Sequence, residues 1–376
     1  MKADMLEGMI RRRYIEMKKK ILMLMMAGML SVVSLAGCSS FKEDEVVATV
    51  GDQKITADIA NFYARYVQAQ YETYYSAYLG ENMWDSEAAK GKTYEESVKD
   101  SVLESLEDMI VLEAHMKDYE AELSDEEKSV VEKAAKKFDN VNALEDKEKV
   151  SGSEETVRRV MTLMAIQQKM QKKIQEGADT EVSDEEAAQK SMQYVLFSYK
   201  TEDEDGKSVD MTDEEKKEAD KKAKEFAKGA KDAKDFEAFV KEQGLAAKKA
   251  TFDSESVNLA EDLIKEADKL KEGEVTGVVK TDGGCYVAKL TSLLDREATD
   301  ARKDTFVNER KQKLYTDTCK EWREKADISV DKDVWKKIDF KELRVTMREE
   351  VKEPYANDVE TDDVADAKKE AEENGE

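Results

Sequence analysis

The scarcity of proline is the feature of this sequence that most restricts its fold. One proline, Pro354, occurs in 376 residues, and only 16 residues are glycine. Proline and glycine disfavour helix interiors, whereas alanine, glutamate and lysine, which are abundant in this chain, favour them. The sequence therefore predicts long helices, and it argues against a fold built on glycine-rich nucleotide-binding loops.

Charge and histidine content exclude several kinds of protein. The chain has 87 acidic and 62 basic side chains, a formal charge of -25, and lacks the basic surface that displaces the counterions of nucleic-acid phosphates. We therefore expect no nucleic-acid partner. The single histidine, His115, excludes a multi-histidine metal site and argues against a Ser-His-Asp triad. We expect neither a metal ion nor a cofactor.

The N-terminus resembles the secretion signal of a bacterial lipoprotein. Lysines at 18–20 precede a mostly apolar stretch at 21–35, which ends in the sequence Leu35-Ala36-Gly37-Cys38. A basic region, a short apolar region and a small-residue cleavage site are the parts of a secretory signal. The order Leu-Ala-Gly-Cys resembles a lipobox, which implies cleavage before Cys38 and lipidation of that residue.

Residues 1–37 are therefore predicted to be a signal peptide. Met17 is its predicted true start, and the alternative is an unusually long basic region. A plain signal peptide and a transmembrane helix are the other interpretations, although the apolar stretch is short for a span of about 20 residues. The lipobox resemblance implies a protein whose lipid anchor at Cys38 holds it to the cell membrane, on the extracytoplasmic face.

Residues 38–185 have the pattern of a helical domain. Two β-prone runs, 46–50 and 53–56, flank Gly51-Asp52 and predict a small hairpin, after which a helix is expected from Thr56 towards Leu79. The capping-box pattern, Ser or Thr followed three positions later by Glu, predicts further helix starts at Thr93 and Ser124. An amphipathic helix is expected over 154–176.

Residues 186–296 have the mixed pattern of a small α+β domain. Strand-like runs alternate with helices, and a third capping box predicts a helix start at Thr212. The strand-like runs are 192–199, 250–252, 275–280 and 286–290, and residues 201–211 are expected to be a loop. A long helix follows within 297–340. Residues 341–376 are acidic, with few core-forming side chains, and are predicted to be disordered.

The order of these parts resembles that of the PrsA-type foldase lipoproteins and the related periplasmic chaperone SurA. Residues 47–56, a valine-rich strand, a turn and an Ile-Thr pair, resemble the start of their N-terminal domain, and residues 83–96 and 123–127 match further along. The resemblance implies an α+β fold, in which a mainly helical SurA/PrsA-type chaperone domain carries an inserted parvulin-like domain. The helix within 297–340 is then expected to return to the chaperone domain.

Parvulins are peptidyl-prolyl cis-trans isomerases, and the resemblance assigns roles to four residues of the inserted domain. Tyr194 and Tyr286 stand where the family has its two histidines, and Leu259 and Leu263 stand where the family lines its proline pocket with Met and Phe. The Gly-Gly-Asp-Leu-Gly loop of the family is absent, together with the polar residue that it supplies. Either the tyrosine pair replaces the histidine pair in catalysis, or the domain has kept its fold and lost its activity.

Tyrosines cluster along the helix that follows Thr56. Tyr71, Tyr74 and Tyr78 recur at i, i+3 and i+7, which places them on one stripe of a continuous helix. A tyrosine combines an apolar ring with a polar tip, and this suits adaptable contacts with peptides. The stripe predicts either a client-binding groove or ordinary packing between helices.

The leading hypothesis is an extracytoplasmic lipoprotein folding factor that binds unfolded or nascent exported proteins and isomerises their prolyl bonds. One alternative is a holdase chaperone whose parvulin-like domain is inactive. The other is a solute-binding or adhesive lipoprotein. Solute-binding proteins usually have two α/β lobes with glycine-rich turns around the ligand, and this helix-rich sequence has neither feature.

Overall fold

The computed structural model describes residues 30–34, 42–80, 82–203 and 206–347. The chain forms two compact units: one comprises Met1–Gly177 and Lys313–Glu376, and the other comprises Ala178–Gln312. The predicted α+β class, with a mainly helical domain and a small α+β domain, is confirmed.

The elements follow one another in a simple order. The first unit contains β1 (Leu30–Ser34), β2 (Val46–Val50), β3 (Gln53–Thr56), α1 (Ala57–Tyr74), α2 (Ser76–Leu79), β4 (Glu87–Ala89), β5 (Lys92–Thr93), α3 (Tyr94–Ala114), α4 (Asp125–Val141), α5 (Leu144–Lys149) and α6 (Glu154–Gln175). The second contains β6 (Lys190–Ser198), β7 (Lys200–Glu202), β8 (Ser208–Asp210), α7 (Asp213–Asp232), α8 (Phe236–Glu242), β9 (Lys248–Phe252), α9 (Glu261–Asp268), β10 (Val279–Thr281) and β11 (Gly284–Ser292). Helix α10 (Arg296–Lys325) leads back into the first unit, which ends with β12 (Ile328–Val330), α11 (Lys332–Trp335) and β13 (Leu343–Met347).

The three predicted capping boxes are all present. In each, the side chain of Thr93, Ser124 or Thr212 accepts a hydrogen bond from the backbone N–H of the glutamate three positions on. The carboxylate of that glutamate accepts a hydrogen bond from the backbone N–H of the cap residue. A cap of this kind contributes about 1 kcal/mol to helix stability, so these short motifs define where α3, α4 and α7 begin.

Helices α1, α3, α4 and α6 enclose the core of the first unit. The ring of Phe62 in α1 meets the ring of Phe138 in α4 edge to face, with centroids 5.3 Å apart. Leu106 and Met161 are fully buried beside them. Burial of one side chain of this size contributes about 1.5–3 kcal/mol. The predicted hairpin β2–β3 is confirmed, and β12 pairs with β2 to give a three-stranded sheet in the order β12-β2-β3.

The last turns of α10 pack on α3 within the first unit. The indole ring of Trp322 stacks on the imidazole ring of His115, with centroids 4.0 Å apart. Arg323 donates to Asp108 Oδ1 at 2.7 Å and also pairs with Glu107. These contacts explain how a helix so far along the chain becomes part of the N-terminal helical unit.

The second unit is built on a four-stranded antiparallel sheet in the order β10-β11-β6-β9. Val195 and Val287 lie on one face and pack with Phe226 of α7 and Phe236 of α8. Met192, Ala288 and Leu290 lie on the other face and pack with α9. The alternation of side chains along β6 and β11 thus separates two apolar clusters, one on each side of the sheet.

The second unit is longer at both ends than the predicted range 186–296. Residues 178–185 and the start of α10 belong to it, because charged side chains tie the two together. Arg310 donates to Asp179 Oδ2 at 3.1 Å and to Glu186 Oε1 at 2.5 Å, and Arg296 pairs with Asp184 at 2.7 Å. The segment 297–340 is therefore divided between the two units.

Two local predictions for this unit differ from the structure. The expected loop at 201–211 contains a small hairpin, β7–β8, whose pairing register includes Thr201 opposite Val209. The expected strand at 275–280 is a strand only at Val279–Thr281, while Val275 forms a single bridge with Lys289. The segment 201–211 is rich in polar residues, and 275–280 contains Gly277, so neither difference could be read from a simple pattern of apolar residues.

The prediction of disorder for 341–376 is wrong at its beginning. Leu343–Met347 forms β13, which pairs antiparallel with β1, and Leu343 and Val345 are buried. The physical reason lies in α1, because Gln68, Glu72 and Thr73 form hydrogen bonds to the backbone of this strand. Strand β1 itself comes from the predicted signal peptide; the remainder of 1–37, Cys38 and residues 348–376 lie outside the described residues.

Candidate functional site

Two tyrosines meet on one face of the sheet in the second unit. Strands β6 and β11 pair with Ala288 opposite Tyr194 and with Leu196 opposite Tyr286. The tyrosines therefore lie diagonally across the strand pair, and their ring centroids are 5.8 Å apart with planes tilted by 48°. Side chains alternate between the two faces along a strand, and this register places both rings on one face. Both side chains are half-buried.

Leucines form the apolar surface beside the tyrosine pair. Leu259, Leu263, Tyr194 and Tyr286 all contact one cluster, whose buried members include Phe252. Leu263 is fully buried and Leu259 is half-buried. Helix α9 begins at Glu261, so Leu263 lies in the helix and Leu259 lies in the preceding loop. Leu259 is therefore the leucine that a ligand can touch, whereas Leu263 belongs to the buried part of the same cluster.

The tyrosine pair is a source of neutral hydrogen-bond donors. Burial raises the pKa of Tyr194 above the usual value for a phenol, and the neighbouring hydroxyl of Tyr286 raises it further. A phenol hydroxyl both donates and accepts hydrogen bonds. At neutral pH, Tyr194 therefore offers a proton to an acceptor, such as a carbonyl oxygen, without carrying a charge of its own.

A second polar cluster, which sequence reasoning missed, lies on the opposite face of the sheet. Tyr199 donates from its hydroxyl to Asp220 Oδ1 at 2.5 Å, the thiol of Cys285 donates to the same oxygen at 3.1 Å, and Lys280 pairs with Asp220 Oδ2 at 2.6 Å. Lys280 and Tyr199 lower the pKa of Asp220 to about 2. Alternation along β11 places Cys285 on this face, opposite Tyr286, but no sequence pattern connects it with Asp220.

This opposite cluster stabilises the fold rather than supplying a nucleophile. Cys285 is fully buried, and burial raises the pKa of its thiol above the usual range. A thiol that stays protonated is a poor nucleophile. The cluster instead links α7, through Asp220, to the start of β11.

The tyrosine stripe on the first helix is interrupted in the structure. Helix α1 ends at Tyr74 and the separate helix α2 begins at Ser76, so Tyr71, Tyr74 and Tyr78 do not follow one continuous helix. The ring of Tyr71 packs between those of Tyr75, at 5.5 Å, and Trp84, at 5.9 Å. Tyr74 is 56% exposed. The side chain of Tyr78 lies outside the described part of the structure.

A groove of about 540 Å³ opens between α3, α4 and α6 of the first unit. Its apolar lining comes from Met116, Leu123, Val131 and Ile166. Charged side chains at its rim include Arg158, which pairs with Glu132 at 3.4 Å. An apolar floor with charges of both signs around it suits a peptide segment. Sequence reasoning missed this groove because its residues come from elements that are distant in the chain.

Comparisons with known families agree with this arrangement of two units. The sequence profile of a SurA-like N-terminal domain matches residues 5–149, and that of a PPIC-type PPIase domain matches residues 199–303. The chain thus combines a SurA-like N-terminal domain with a parvulin-type PPIase domain, and this combination supports a foldase function. In this foldase the PPIase match includes Tyr286 on β11, but it begins at Tyr199 and so leaves out Tyr194 on β6.

Several solved structures are similar to this foldase. PrsA of Lactococcus lactis is 14% identical, with 78% of this chain and 97% of that chain covered and a TM-score of 0.35. PrsA of Streptococcus pneumoniae is 22% identical, with coverages of 68% and 97% and a TM-score of 0.28. The peptidylprolyl isomerase PrsA of Bacillus cereus is 17% identical, with coverages of 79% and 98% and a TM-score of 0.28. No curated protein sequence matches the chain.

Across 30–34, 42–80, 82–203 and 206–347, no helix is both long and apolar enough to span a bilayer. Within the same ranges, no group of three or more His, Cys, Asp or Glu side chains is placed to hold a metal ion.

Proposed function

We propose that this foldase is lipid-anchored on the extracytoplasmic face of the cell membrane, and that its parvulin-type domain isomerises X-Pro bonds of unfolded exported proteins. Tyr194 and Tyr286 are the proposed catalytic residues. The observation that supports their role is the 5.8 Å approach of the two rings beside the Leu259 and Leu263 surface. That arrangement combines an apolar surface for a proline ring with two hydroxyls nearby.

The chemistry requires no covalent intermediate. Rotation about a peptide bond has a barrier of about 18–20 kcal/mol because amide resonance is lost in the twisted state. An enzyme accelerates the rotation by binding the twisted amide more tightly than the planar one. In our proposal the proline ring rests on Leu259, and the tyrosine hydroxyls donate to the twisted carbonyl or to the amide nitrogen, which becomes a better acceptor as conjugation is lost.

Removal of both hydroxyls tests the catalytic proposal. We expect the double variant Tyr194→Phe, Tyr286→Phe to keep its fold and to isomerise a prolyl peptide about a hundredfold more slowly. Each lost transition-state hydrogen bond worth about 1.36 kcal/mol lowers the rate tenfold. The parent rate should also stay flat between pH 5 and pH 8, because phenols titrate near pH 10 whereas a histidine pair would titrate within that range. The measurement is kcat/KM for a proline-containing tetrapeptide.

Tyr199→Phe is the matched control, because it removes a hydroxyl from the opposite face of the same sheet. It should leave the isomerisation rate nearly unchanged. A double variant as fast as the parent would assign catalysis to the apolar surface alone. A parent without measurable activity would favour an inactive holdase, which the loss of the family's Gly-Gly-Asp-Leu-Gly loop already makes the main rival.

Lipid anchoring at Cys38 is the second part of the proposal, and it is supported by the Leu35-Ala36-Gly37-Cys38 sequence after an apolar stretch. We expect Cys38→Ser to move the protein from the membrane fraction to the soluble extracytoplasmic fraction. The same substitution should abolish incorporation of labelled palmitate. A plain signal peptide would give a soluble parent, and a transmembrane helix would keep both forms in the membrane.

Client binding is assigned to the helical unit. The proposed contacts are Tyr71 and the exposed Tyr74 at the end of α1, together with Tyr78 in α2. The groove of about 540 Å³ between α3, α4 and α6 supplies a second apolar surface for an unfolded chain. Suppression of aggregation of a reduced, unfolded protein by the parent is the measurement that tests this assignment.

A further inference from the structure

Strand β13 is held along one edge by side chains rather than by another strand. Gln68 Nε2 donates to the carbonyl oxygen of Leu343 at 2.6 Å, and the N–H groups of Val345 and Met347 donate to Glu72 Oε2 at 2.8 Å and to Thr73 Oγ1 at 2.9 Å. Successive residues of a strand direct their backbone groups to opposite edges. The odd-numbered residues of β13 therefore face α1, and side chains of α1 bind three backbone groups of this edge.

The other edge of β13 faces β1. The register pairs Thr346 with Ser31 and Arg344 with Val33, so the N–H and C=O groups of Arg344 and Thr346 are directed towards β1. An unpaired strand edge is a template for another strand, and its unmet backbone groups favour strand addition. In this fold that template is occupied by a segment of the predicted signal peptide.

Two apolar side chains seat β1 in place. Leu30 is 6% exposed and Val32 is 9% exposed, whereas Val33 of the same strand is 51% exposed. The N–H of Leu30 also donates to Asn142 Oδ1 at 2.7 Å. A segment that replaces β1 would thus need apolar residues at the positions of Leu30 and Val32. It would also need a backbone N–H group at the position of Leu30. A proline cannot supply that N–H.

We propose that the β13 edge, with the seats of Leu30 and Val32, is a strand-addition site for an extended apolar segment of an unfolded exported protein. The inference rests on the proposed function, because cleavage before Cys38 removes β1 while α1 continues to hold β13. Before that cleavage, β1 of the uncleaved chain occupies the site itself. The segment that the site accepts has large apolar residues at i and i+2 and lacks proline, so it differs from the X-Pro sequences that the isomerase domain takes.

The test uses a fluorescent peptide of residues 29–34 with a soluble tail, and two forms of the protein. The chain that starts at Ser39 should bind the peptide, and the full-length Cys38→Ser chain, which keeps β1, should not. Leu30→Asp with Val32→Asp in the peptide should weaken binding at least about a hundredfold, because both charges would enter apolar seats. Val33→Asp changes the exposed face of the same peptide and is the matched control, with an effect below about threefold.

Cross-linking tests the register independently. In a chain from Ser39 with Cys285 and Cys319 replaced by serine, Arg344→Cys should form a disulfide with a Val33→Cys peptide, and Thr346→Cys should not. The peptide should also raise the aggregation of an unfolded client in the presence of the chaperone, since the two compete for one site. Two results would overturn the proposal. One is that both forms of the protein bind the peptide equally well, and the other is that the Leu30→Asp, Val32→Asp peptide binds as well as the Val33→Asp peptide.

Further outcomes separate this site from its rivals and from the proposed function. A chain from Ser39 that cannot fold would show β1 to be a permanent part of the core, and concentration-dependent dimers that the peptide does not dissociate would assign the edge to a second copy. Either result overturns the site. If Cys38 is not lipidated but the peptide binds in register and competes with client, the anchor proposal fails and the site stands. If Cys38 is lipidated and no peptide binds, only the site fails.

Discussion

Gly284→Ala is expected to unfold the second unit, Ala178–Gln312, selectively. Gly284 opens β11 with φ at +145°, a conformation that side-chain-bearing residues rarely adopt. A Cβ atom at this position would overlap the carbonyl oxygen of Phe197 and lie 3.0 Å from Ser198 Cα, both in the adjacent strand β6. Backbone atoms in the centre of a sheet cannot move aside. Backbone strain and overpacking together give an expected destabilisation of about 3–5 kcal/mol.

The neighbouring residue provides the control for this prediction. Gly283 has no heavy atom within 4 Å of an added Cβ, and its φ is not in the positive range. Gly283→Ala should therefore change the stability of the unit by less than about 0.5 kcal/mol, which is typical of surface substitutions. Equal effects of the two substitutions would contradict the position of Gly284 in the sheet.

The tryptophans allow the two units to be followed separately. All three tryptophans of the chain, Trp84, Trp322 and Trp335, belong to the first unit. Urea unfolding of Gly284→Ala should therefore show an early transition in far-UV circular dichroism while the tryptophan fluorescence midpoint stays at the parent value. The isomerase activity that we propose for this unit should disappear with the early transition.

Local sequence patterns predicted the parts of this fold whose contacts are local. Capping boxes at Thr93, Ser124 and Thr212 gave the starts of three helices because their hydrogen bonds span only three residues. Period-2 alternation placed Tyr194 and Tyr286 on one face and Cys285 on the other, since it depends only on strand geometry. The parvulin resemblance led to the same two tyrosines, which lie together beside the two leucines.

Contacts between distant segments could not be predicted in this way. The pairing of β1 with β13 joins segments about three hundred residues apart. Taken alone, β1 has the pattern of the apolar part of a signal peptide, and β13 belongs to a polar tail. The cluster of Tyr199, Asp220, Lys280 and Cys285 likewise combines three elements, α7, β10 and β11, with the residue that separates β6 from β7. The burial of polar residues in α1 could not be predicted either, because Gln68 and Arg65 are also common on exposed helix faces.

Arg65→Met is expected to release the C-terminal segment from α1 and to destabilise the first unit by about 3–5 kcal/mol. Arg65 is 3% exposed; it donates to Gln68 Oε1 at 2.7 Å and to the carbonyl oxygen of Asp339 at 2.9 Å. Burial lowers the pKa of this guanidinium to about 10, so it remains a cation at neutral pH. Its removal leaves the carbonyl oxygen of Asp339 without this donor. It also takes one positive charge away from the buried carboxylates of Glu72 and Glu95, of which Glu95 also pairs with Lys341 at 3.2 Å.

Arg65→Lys is the matched control. It keeps the positive charge but loses the planar fork that reaches two acceptors, so its loss of stability should be clearly smaller than that of Arg65→Met. The measurement is the urea midpoint followed by tryptophan fluorescence, since Trp84 donates from Nε1 to Glu72 Oε1 at 2.9 Å within the same network. A Met variant as stable as the parent would mean that these carboxylates need no cation.

The loss of stability caused by Arg65→Met should depend on pH because of the buried carboxyl of Glu72. Burial raises its pKa in the folded state above the usual value for a glutamate, and removal of Arg65 should raise that pKa further. When the folded pKa of an acid lies above its unfolded value, the folded state binds more protons, and stability falls as the pH rises through the interval between them. The destabilisation by Arg65→Met should therefore be smaller at pH 5 than at pH 8. A loss that is equal at both values, or larger at pH 5, would show that Glu72 does not respond to Arg65.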